Sequence, residues 1–399
     1  MNILILTNIY PGPGMEKDNT PVVHYFTREW VNQGHNVRVI HYPANFPQIM
    51  MWIASLFKEQ LAWFIGSPIR TWKATNIEFN IEGVRVKRIP LIKYWLHGKF
   101  SAKELDSAYE QTKEYLKKEN FIPDVVTSHW VNPQLEMMER ISKEYKARTC
   151  YVAHVTPREF HYLYSKEKTQ QFVSSFDVMG FRSKVIKESF SKIYSLPQKT
   201  FMCYSGIPKE YIPAKQIKRD FSDIRRFVFT GMLIKRKYPV KAVEALAEAY
   251  GEECFSMTYL GQGKEEHNIR RSARKLGVEN RVHLLGKVQR EEVVRQLSEC
   301  DVFVMISLDE TYGLVYLEAM SQGCITIASR NEGFDGIIEH GRNGFLCEAG
   351  NSEELARLIK EIRQMPEEQL QAISAEAIKT AARMTDAKVA EAYAKALSM

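Results

Sequence analysis

Hydrophobic positions along this chain come in two rhythms that alternate. The run Asn2–Thr7 (NILILT) is apolar nearly throughout, as a strand buried on both faces of a parallel sheet would be. A loop rich in proline and glycine, YPGPGMEKDNTP, follows. The spacing then predicts a helix over Val22–Asn32 that stops at Gly34, and a strand over Asn36–His41. Further strands are predicted at Val84–Ile89, Asp124–Ser128, Thr149–His154 and Asp177–Phe181, with helices at Ala102–Lys118 and Gln134–Lys143.

The pattern breaks near Pro208 and Pro213, where the charged stretch AKQIKRDFSDIRR reads as a linker, and then restarts. Strands are predicted at Phe227–Thr230, Ser256–Leu260, Val282–Leu285, Val302–Ile306 and Cys324–Ala328. Helices are predicted at Pro239–Tyr250, Glu265–Leu276, Arg290–Glu299 and near 314–321, and the chain ends in helices Ser352–Gln364, Glu367–Met384 and Asp386–Leu397. Strands alternating with helices imply parallel sheets covered on both faces. The fold class is therefore α/β, with two Rossmann-like, doubly wound domains in series, facing a central cleft. Residues 1–210 form the first, 211–382 the second, and 383–399 a final helix.

Length agrees with this division, because 399 residues exceed one compact core. Six cysteines lie scattered, with no CxxC and no His/Cys cluster, which argues against a disulfide framework or structural zinc. No apolar run approaches the length of a membrane span, so a cytoplasmic protein is expected. Net charge is a modest +7, but it is unevenly spread. Residues 55–103 hold nine Lys/Arg against three Glu, interleaved with aromatics such as Phe57, Trp63, Trp72 and Trp95, and Trp52 lies just before them. Such a mixture suits an anionic surface, either a membrane or a nucleic acid. The segment PQIMMWIASLFKEQLAWFIGSPIRTWK reads as an amphipathic contact with the inner face of a membrane, and no nucleic-acid partner is expected. The alternative is a core helix with a solvated face.

Candidate chemistry collects at strand ends, where open parallel sheets bind ligands. Glu310 follows the strand Val302–Ile306, and Glu318 lies one turn into the next helix, eight positions on. Between them Thr311-Tyr312-Gly313 makes a turn whose amides point out of a helix N-terminus, a natural seat for phosphate. A carboxylate that accepts two hydrogen bonds suits a vicinal diol. The loop GMLIKRK (Gly231–Lys237) brings three cations to the end of another strand, and GQGK (Gly261–Lys264) opens a helix at a third. No GxGxxG follows the first strand, which disfavours a dinucleotide dehydrogenase. No DxD occurs, which disfavours a metal clamp.

The order GMLxxRK, YLGQGKEE, NRVHLLGKV, CDVFVMIS, DETYGLVYLEAMSQGCITIAS, NEG and GRNGFL resembles the C-terminal domain of GT-B fold glycosyltransferases, in particular family 4, the retaining group with the EX7E motif. That resemblance implies a transferase using a UDP- or GDP-linked sugar as co-substrate, with no other cofactor and no metal. The acceptor it implies is a glycan or a lipid-linked molecule, in surface polysaccharide or glycoconjugate synthesis. By resemblance, Glu310 contacts the donor sugar and Glu318 the ribose diol. The amides of Tyr312, Gly313 and Leu314 meet sugar and β-phosphate, and Lys237 neutralises the diphosphate. His154 reaches the sugar, while His129 and the loop containing Gly14 face the acceptor. The final helix crosses back to the first domain.

The departures fall in one loop above all. GMLIKRKY stands where the family has GRLxxxKG, so Met232 replaces a phosphate-binding arginine and Tyr238 a glycine. Arg236 or Lys235 is the candidate for the missing charge, and Gly231, which opens the loop, is counted with the donor-binding residues. A degenerate GT-B protein that binds nucleotide or membrane without catalysis is the alternative reading, and a phosphorylase is a further one within the fold.

Overall fold

The computed structural model describes residues 1–14, 21–57, 73–94, 98–214 and 219–399. Among them the chain forms two compact units. The first comprises Met1–Arg182, Ile186–Tyr204 and Asp386–Met399, and the second Ser183–Val185 and Ser205–Thr385.

The first unit is built on ten strands: β1 (Asn2–Thr7), β2 (Asn36–His41), β3 (Ala44–Asn45), β4 (Ile77–Ile81), β5 (Val84–Arg88), β6 (Leu91–Ile92), β7 (Val125–His129), β8 (Arg148–Ala153), β9 (Val178–Phe181) and β10 (Lys199–Met202). Eight of them form one sheet in the order β10-β9-β8-β7-β1-β2-β5-β4, while β3 pairs separately with β6. Side chains alternate across β1. Leu4 and Leu6 enter one cluster with Leu105, Leu116, Leu135 and Met138 of the helices Ala102–Lys118 and Gln134–Tyr145. Ile3 and Ile5 enter the opposite cluster with Phe26, Trp30 and Tyr393. Burial on both faces explains why β1 is apolar along its whole length.

The helix Asp386–Leu397 belongs to this unit. It packs on the helix Val22–Asn32, where Trp30 Nε1 donates to the Ala390 carbonyl at 2.9 Å and Gln33 Nε2 to that of Ala387 at 3.0 Å. The Tyr393 ring meets Trp30 and Phe26 edge-on at 4.9 and 5.2 Å.

The second unit holds β11 (Arg226–Thr230), β12 (Ser256–Leu260), β13 (Val282–Gly286), β14 (Val302–Val304), β15 (Ile325–Ser329) and β16 (Phe345–Cys347). All pair in parallel, in the order β13-β12-β11-β14-β15-β16. Numbered within the unit this is 3-2-1-4-5-6, the doubly wound order whose direction reverses between β11 and β14. The expected pair of Rossmann-like α/β units is thus present.

Some elements differ from the sequence reading. β4 is an additional antiparallel edge strand, joined to β5 by Glu82-Gly83, both in the left-handed region (φ +48° and +81°) as a two-residue hairpin requires. β10 and β16 are too short, and β10 too polar, to show a period. β14 stops at Val304, two residues early. The stretch read as a linker is partly core: Phe221 and Ile224 are buried, and buried Arg219 donates from Nη1 to the Ser298 and Gln322 carbonyls, both at 2.9 Å. Its residues 215–218 lie outside the described residues. No described helix is long and apolar enough to cross a membrane.

Candidate functional site

In a doubly wound sheet the crevice for a ligand opens where strand order reverses, outside the carboxyl ends. In the second unit that point lies between β11 and β14, so the loops after Thr230 and Val304 must meet there. They are stitched together. Leu308 N donates to the Arg236 carbonyl at 2.7 Å, and Arg236 Nη1 reaches the carbonyls of Leu308 and Asp309 at 3.3 and 3.2 Å. Lys237 Nζ then lies 3.4 Å from Glu310 Oε2, and Arg236 Nη1 lies 3.8 Å from the same oxygen. Glu310 Oε2 is buried and receives no hydrogen bond. A buried acceptor left open costs free energy unless something else satisfies it. Gly231 leaves the room that Lys237 occupies, since a Cβ there would sit 3.0 Å from Nζ.

The turn between the two motif glutamates needs its glycine. Gly313 has φ +82° and caps the helix Leu314–Ser321, and a Cβ on it would lie 2.4 Å from the Tyr316 ring. Within the first turn Tyr316 N donates to the Gly313 carbonyl at 3.0 Å, while the amides of Leu314 and Val315 precede any intrahelical acceptor. Tyr312 itself is buried, with its hydroxyl donating to the Ser205 carbonyl at 2.7 Å and its ring edge-on to Phe334. GQGK has a structural reason. A Cβ on Gly261 would fall 2.0 Å from the Gly231 carbonyl oxygen, so this glycine lets the loops after β11 and β12 touch backbone to backbone.

Tyr238, standing where glycine was expected, does adopt a left-handed conformation (φ +49°) at the start of the helix Pro239–Tyr250. The turn geometry is kept and its strain is borne by a tyrosine whose ring packs on Gly350. Met232 is half exposed.

Two residues not singled out in the sequence complete the cluster. Glu332, in the NEG stretch, accepts the Glu310 amide at 2.7 Å, and Gly333 N donates to the Glu310 carbonyl at 2.8 Å. Burial raises the Glu332 carboxyl above the usual range. Arg290 Nη2 donates to Glu318 Oε1 at 2.7 Å. Glu318 is itself buried, and that burial raises its pKa against the opposing pull of Arg290.

In the first unit the order reverses between β1 and β7. His129 ends β7, and His154 follows β8, the neighbouring parallel strand. Their rings meet, with His129 Nδ1 2.7 Å from His154 Nε2. Trp130 stacks on the His154 ring at 4.5 Å. His129, expected to face an acceptor, is instead fully buried, and its Nε2 lies 3.2 Å from the Tyr393 hydroxyl. Burial, reinforced by the Arg182 charge, lowers His129 to about 3. Burial also holds His154 well below its usual value, with His129 and Arg182 adding to the effect. β7 is buried along its whole length, so its last residue, His129, is enclosed whichever face its side chain takes.

Gly14 is exposed at the end of a described segment, and residues 15–20 beyond it lie outside the described residues. Of the basic and aromatic region, residues 58–72 and 95–97 lie outside them too. The helix Gln48–Leu56 is described, and it exposes Ile49, Trp52 and Leu56. No group of three or more His, Cys, Asp or Glu among the described residues is placed to hold a metal ion.

Comparison with known proteins bears on the second unit most directly. Residues 213–380 match the family model "Glycosyl transferases group 1". The lipopolysaccharide core biosynthesis glycosyltransferase LpsE of Rhizobium meliloti (strain 1021) is 34% identical over 132 residues, 33% of this chain and 37% of that protein. The N-acetyl-alpha-D-glucosaminyl L-malate synthase of Bacillus anthracis is 35% identical over 114 residues, 29% of each chain. The matches span under half the length of these curated relatives. Among solved structures, Anabaena Alr3699/HepE in complex with UDP and glucose aligns with a TM-score of 0.67 at 17% identity, covering 100% of this chain and 99% of that one. A glycosyltransferase from Rickettsia africae ESF-5 aligns with a TM-score of 0.71 at 14% identity, covering 100% and 97%. The fold is therefore of the GT-B class, and its segment 213–380 is similar to the group 1 glycosyl transferases.

Proposed function

We propose that the protein is a retaining glycosyltransferase that moves a sugar from a UDP- or GDP-linked donor to a glycan or lipid-linked acceptor. The observation that carries this reading is the Glu310 carboxylate, whose buried Oε2 pairs with Lys237 and Arg236 next to the N-terminus of the helix Leu314–Ser321. A carboxylate in that position accepts hydrogen bonds from sugar hydroxyls. The cations and the helix amides meet the negative charge that builds on the diphosphate as the glycosidic bond breaks. Such preorganised charge stabilises the transition state without reorganisation, and removing one donor typically costs on the order of 10²–10³ in rate. No resident metal is assigned to this step. Glu318 is proposed to hold the ribose diol, the amides of Tyr312, Gly313 and Leu314 the sugar and β-phosphate, and His154 a hydroxyl of the transferred sugar. Because His129 is enclosed, its proposed part is to orient His154.

The relatives support the class of acceptor. Besides LpsE they include the amylovoran biosynthesis glycosyltransferase AmsK of Erwinia amylovora and the alpha-monoglucosyldiacylglycerol synthase of Acholeplasma laidlawii. Surface polysaccharide or glycolipid synthesis is the corresponding proposal for this chain. The exposed apolar side chains of the helix Gln48–Leu56 suit a peripheral site on the inner face of a membrane, in a cytoplasmic protein. One observation favours the non-catalytic alternative: the position of the family's phosphate-binding arginine is a half-exposed methionine, and Arg236 spends a guanidinium nitrogen on two carbonyls.

A thermal-shift panel of UDP, GDP, ADP and their sugar conjugates separates the two. A nucleotide present at 100 times its Kd should stabilise the folded protein by about 2.7 kcal/mol. We expect this for UDP or GDP in wild type and its loss in Glu318→Ala. Lys237→Ala should still bind nucleotide, more weakly, and lose turnover. No response to any nucleotide in wild type refutes the transferase reading.

A further inference from the structure

Glu318 is an awkward residue for the interior. Its helix is packed on all sides: Ser374 of the helix Glu367–Ala382 donates to the Gly323 carbonyl just past its end, and Arg219 donates to the carbonyl of Gln322. Neither meets the Glu318 carboxylate. The charged group that faces it among the described residues is Arg290, the first residue of the helix Arg290–Glu299. The guanidinium is not simply laid on the surface. It lies over the Tyr211 ring at 5.1 Å, and Tyr211 is in turn held to Glu318's own helix, because Gln322 Nε2 donates to its carbonyl at 2.8 Å. Tyr211, Arg290 and Glu318 thus form a layered stack with the cation in the middle, braced at both ends.

We propose that Arg290 is a positioning residue for the donor nucleoside: clamped between Tyr211 and Glu318, it keeps the Glu318 carboxylate ionised and turned so that its two oxygens accept the vicinal hydroxyls of a ribose. This rests on the nucleotide-sugar reading of the same site. The geometry permits both contacts at once, since each carboxylate oxygen offers two lone pairs and Arg290 uses one of those on Oε1. Without the guanidinium, burial alone acts on Glu318, and the carboxyl holds its proton to higher pH. A protonated carboxyl has one good acceptor oxygen and a hydroxyl, and it matches a diol poorly. Arg290 therefore acts on the ribose through Glu318, and its removal should appear as a pH dependence of nucleotide affinity.

The test is calorimetric titration of UDP and GDP into full-length wild type, Arg290→Met and Arg290→Lys at intervals from pH 5.5 to 8.5. Ratios of Kd to wild type cancel the titration of the nucleotide itself. We expect Arg290→Met to bind about tenfold or more weakly near pH 6, the loss expected for a hydrogen bond between charged groups. The ratio should shrink as pH rises, and Arg290→Lys should restore a nearly flat ratio. If Arg290→Met does not fold, as a thermal melt would show, Arg290→Gln makes the same comparison. A ratio that stays constant across the pH range, whatever its size, overturns the inference. Failure of wild type to bind either nucleotide overturns the nucleotide site and this inference with it, whereas binding by wild type with a constant ratio overturns the inference alone.

Discussion

Lowering the pH from 7 to 5 should weaken the first unit through His129. The side chain is fully enclosed, one nitrogen against His154 and the other against the Tyr393 hydroxyl, with Arg182 as a nearby cation. Burial and then Arg182 bring it to about 3, so the native site stays neutral at pH 5. An unfolded histidine titrates near about 6.5 and is almost wholly protonated there. A depressed native pKa leaves the stability intact above the unfolded value and removes it as pH falls below. Linkage gives a loss of about 2 kcal/mol between pH 7 and 5, a figure that any native pKa below about 4 leaves unchanged. His154 is lowered in the same direction and adds to the slope in wild type. The assay is urea unfolding of wild type and His129→Gln at both pH values, followed by far-UV circular dichroism and tryptophan fluorescence. Wild type should lose at least about 2 kcal/mol more than the variant over this interval. Equal losses in the two proteins would show that His129 titrates normally, and the enclosed His129–His154 pair would be refuted.

Two further outcomes are expected. Gly313→Ala must hold a Cβ at φ +82° and 2.4 Å from the Tyr316 ring, so the second unit should lose at least about 1–3 kcal/mol of stability and its response to nucleotide; a melt and titration unchanged from wild type would contradict the described turn. Anionic vesicles should carry the protein in a flotation assay, and Trp52→Glu, placed on the exposed face of the helix Gln48–Leu56, should release it at unchanged stability; flotation by both proteins alike would remove this helix from the contact.

What the sequence made legible follows from how much backbone each feature constrains. The second unit was readable because its strand ends approach one another too closely for side chains. Gly261 against the Gly231 carbonyl and Gly313 against the Tyr316 ring can be nothing larger, and these glycines punctuate the motif order. Glu310, Glu318 and Lys237 stand at fixed offsets from those glycines, so their neighbourhood at the β11–β14 reversal could be expected, and Lys237 does meet Glu310 there. Arg290 and Glu332 left no such mark. Each is a charged residue in a polar stretch, and only the folded helices and loops bring Arg290 to Glu318 and Glu332 to the Glu310 amide. Arg219 misled for the opposite reason. A lysine- and arginine-rich run reads as solvated, yet an arginine with two carbonyls to satisfy can be buried, and this one is.

Tyr238 shows most clearly how a departure in sequence can leave a structure intact. Glycine is favoured in a left-handed turn because it lacks a Cβ, and a tyrosine is not. The turn survives, because φ near +50° is the one positive-φ well that an L-residue can occupy, at a cost of about 1–3 kcal/mol. Part of that cost is offset by the ring's contact with Gly350, a position where any side chain would collide with it. The loop therefore still delivers Lys237 to Glu310. What has changed at this site is charge and not shape: Met232 brings no guanidinium, and Arg236 points its own at two carbonyls. Any weakness in phosphate binding should then be electrostatic, and Met232→Arg should relieve it without disturbing the fold, most at low ionic strength, where the added charge is least screened.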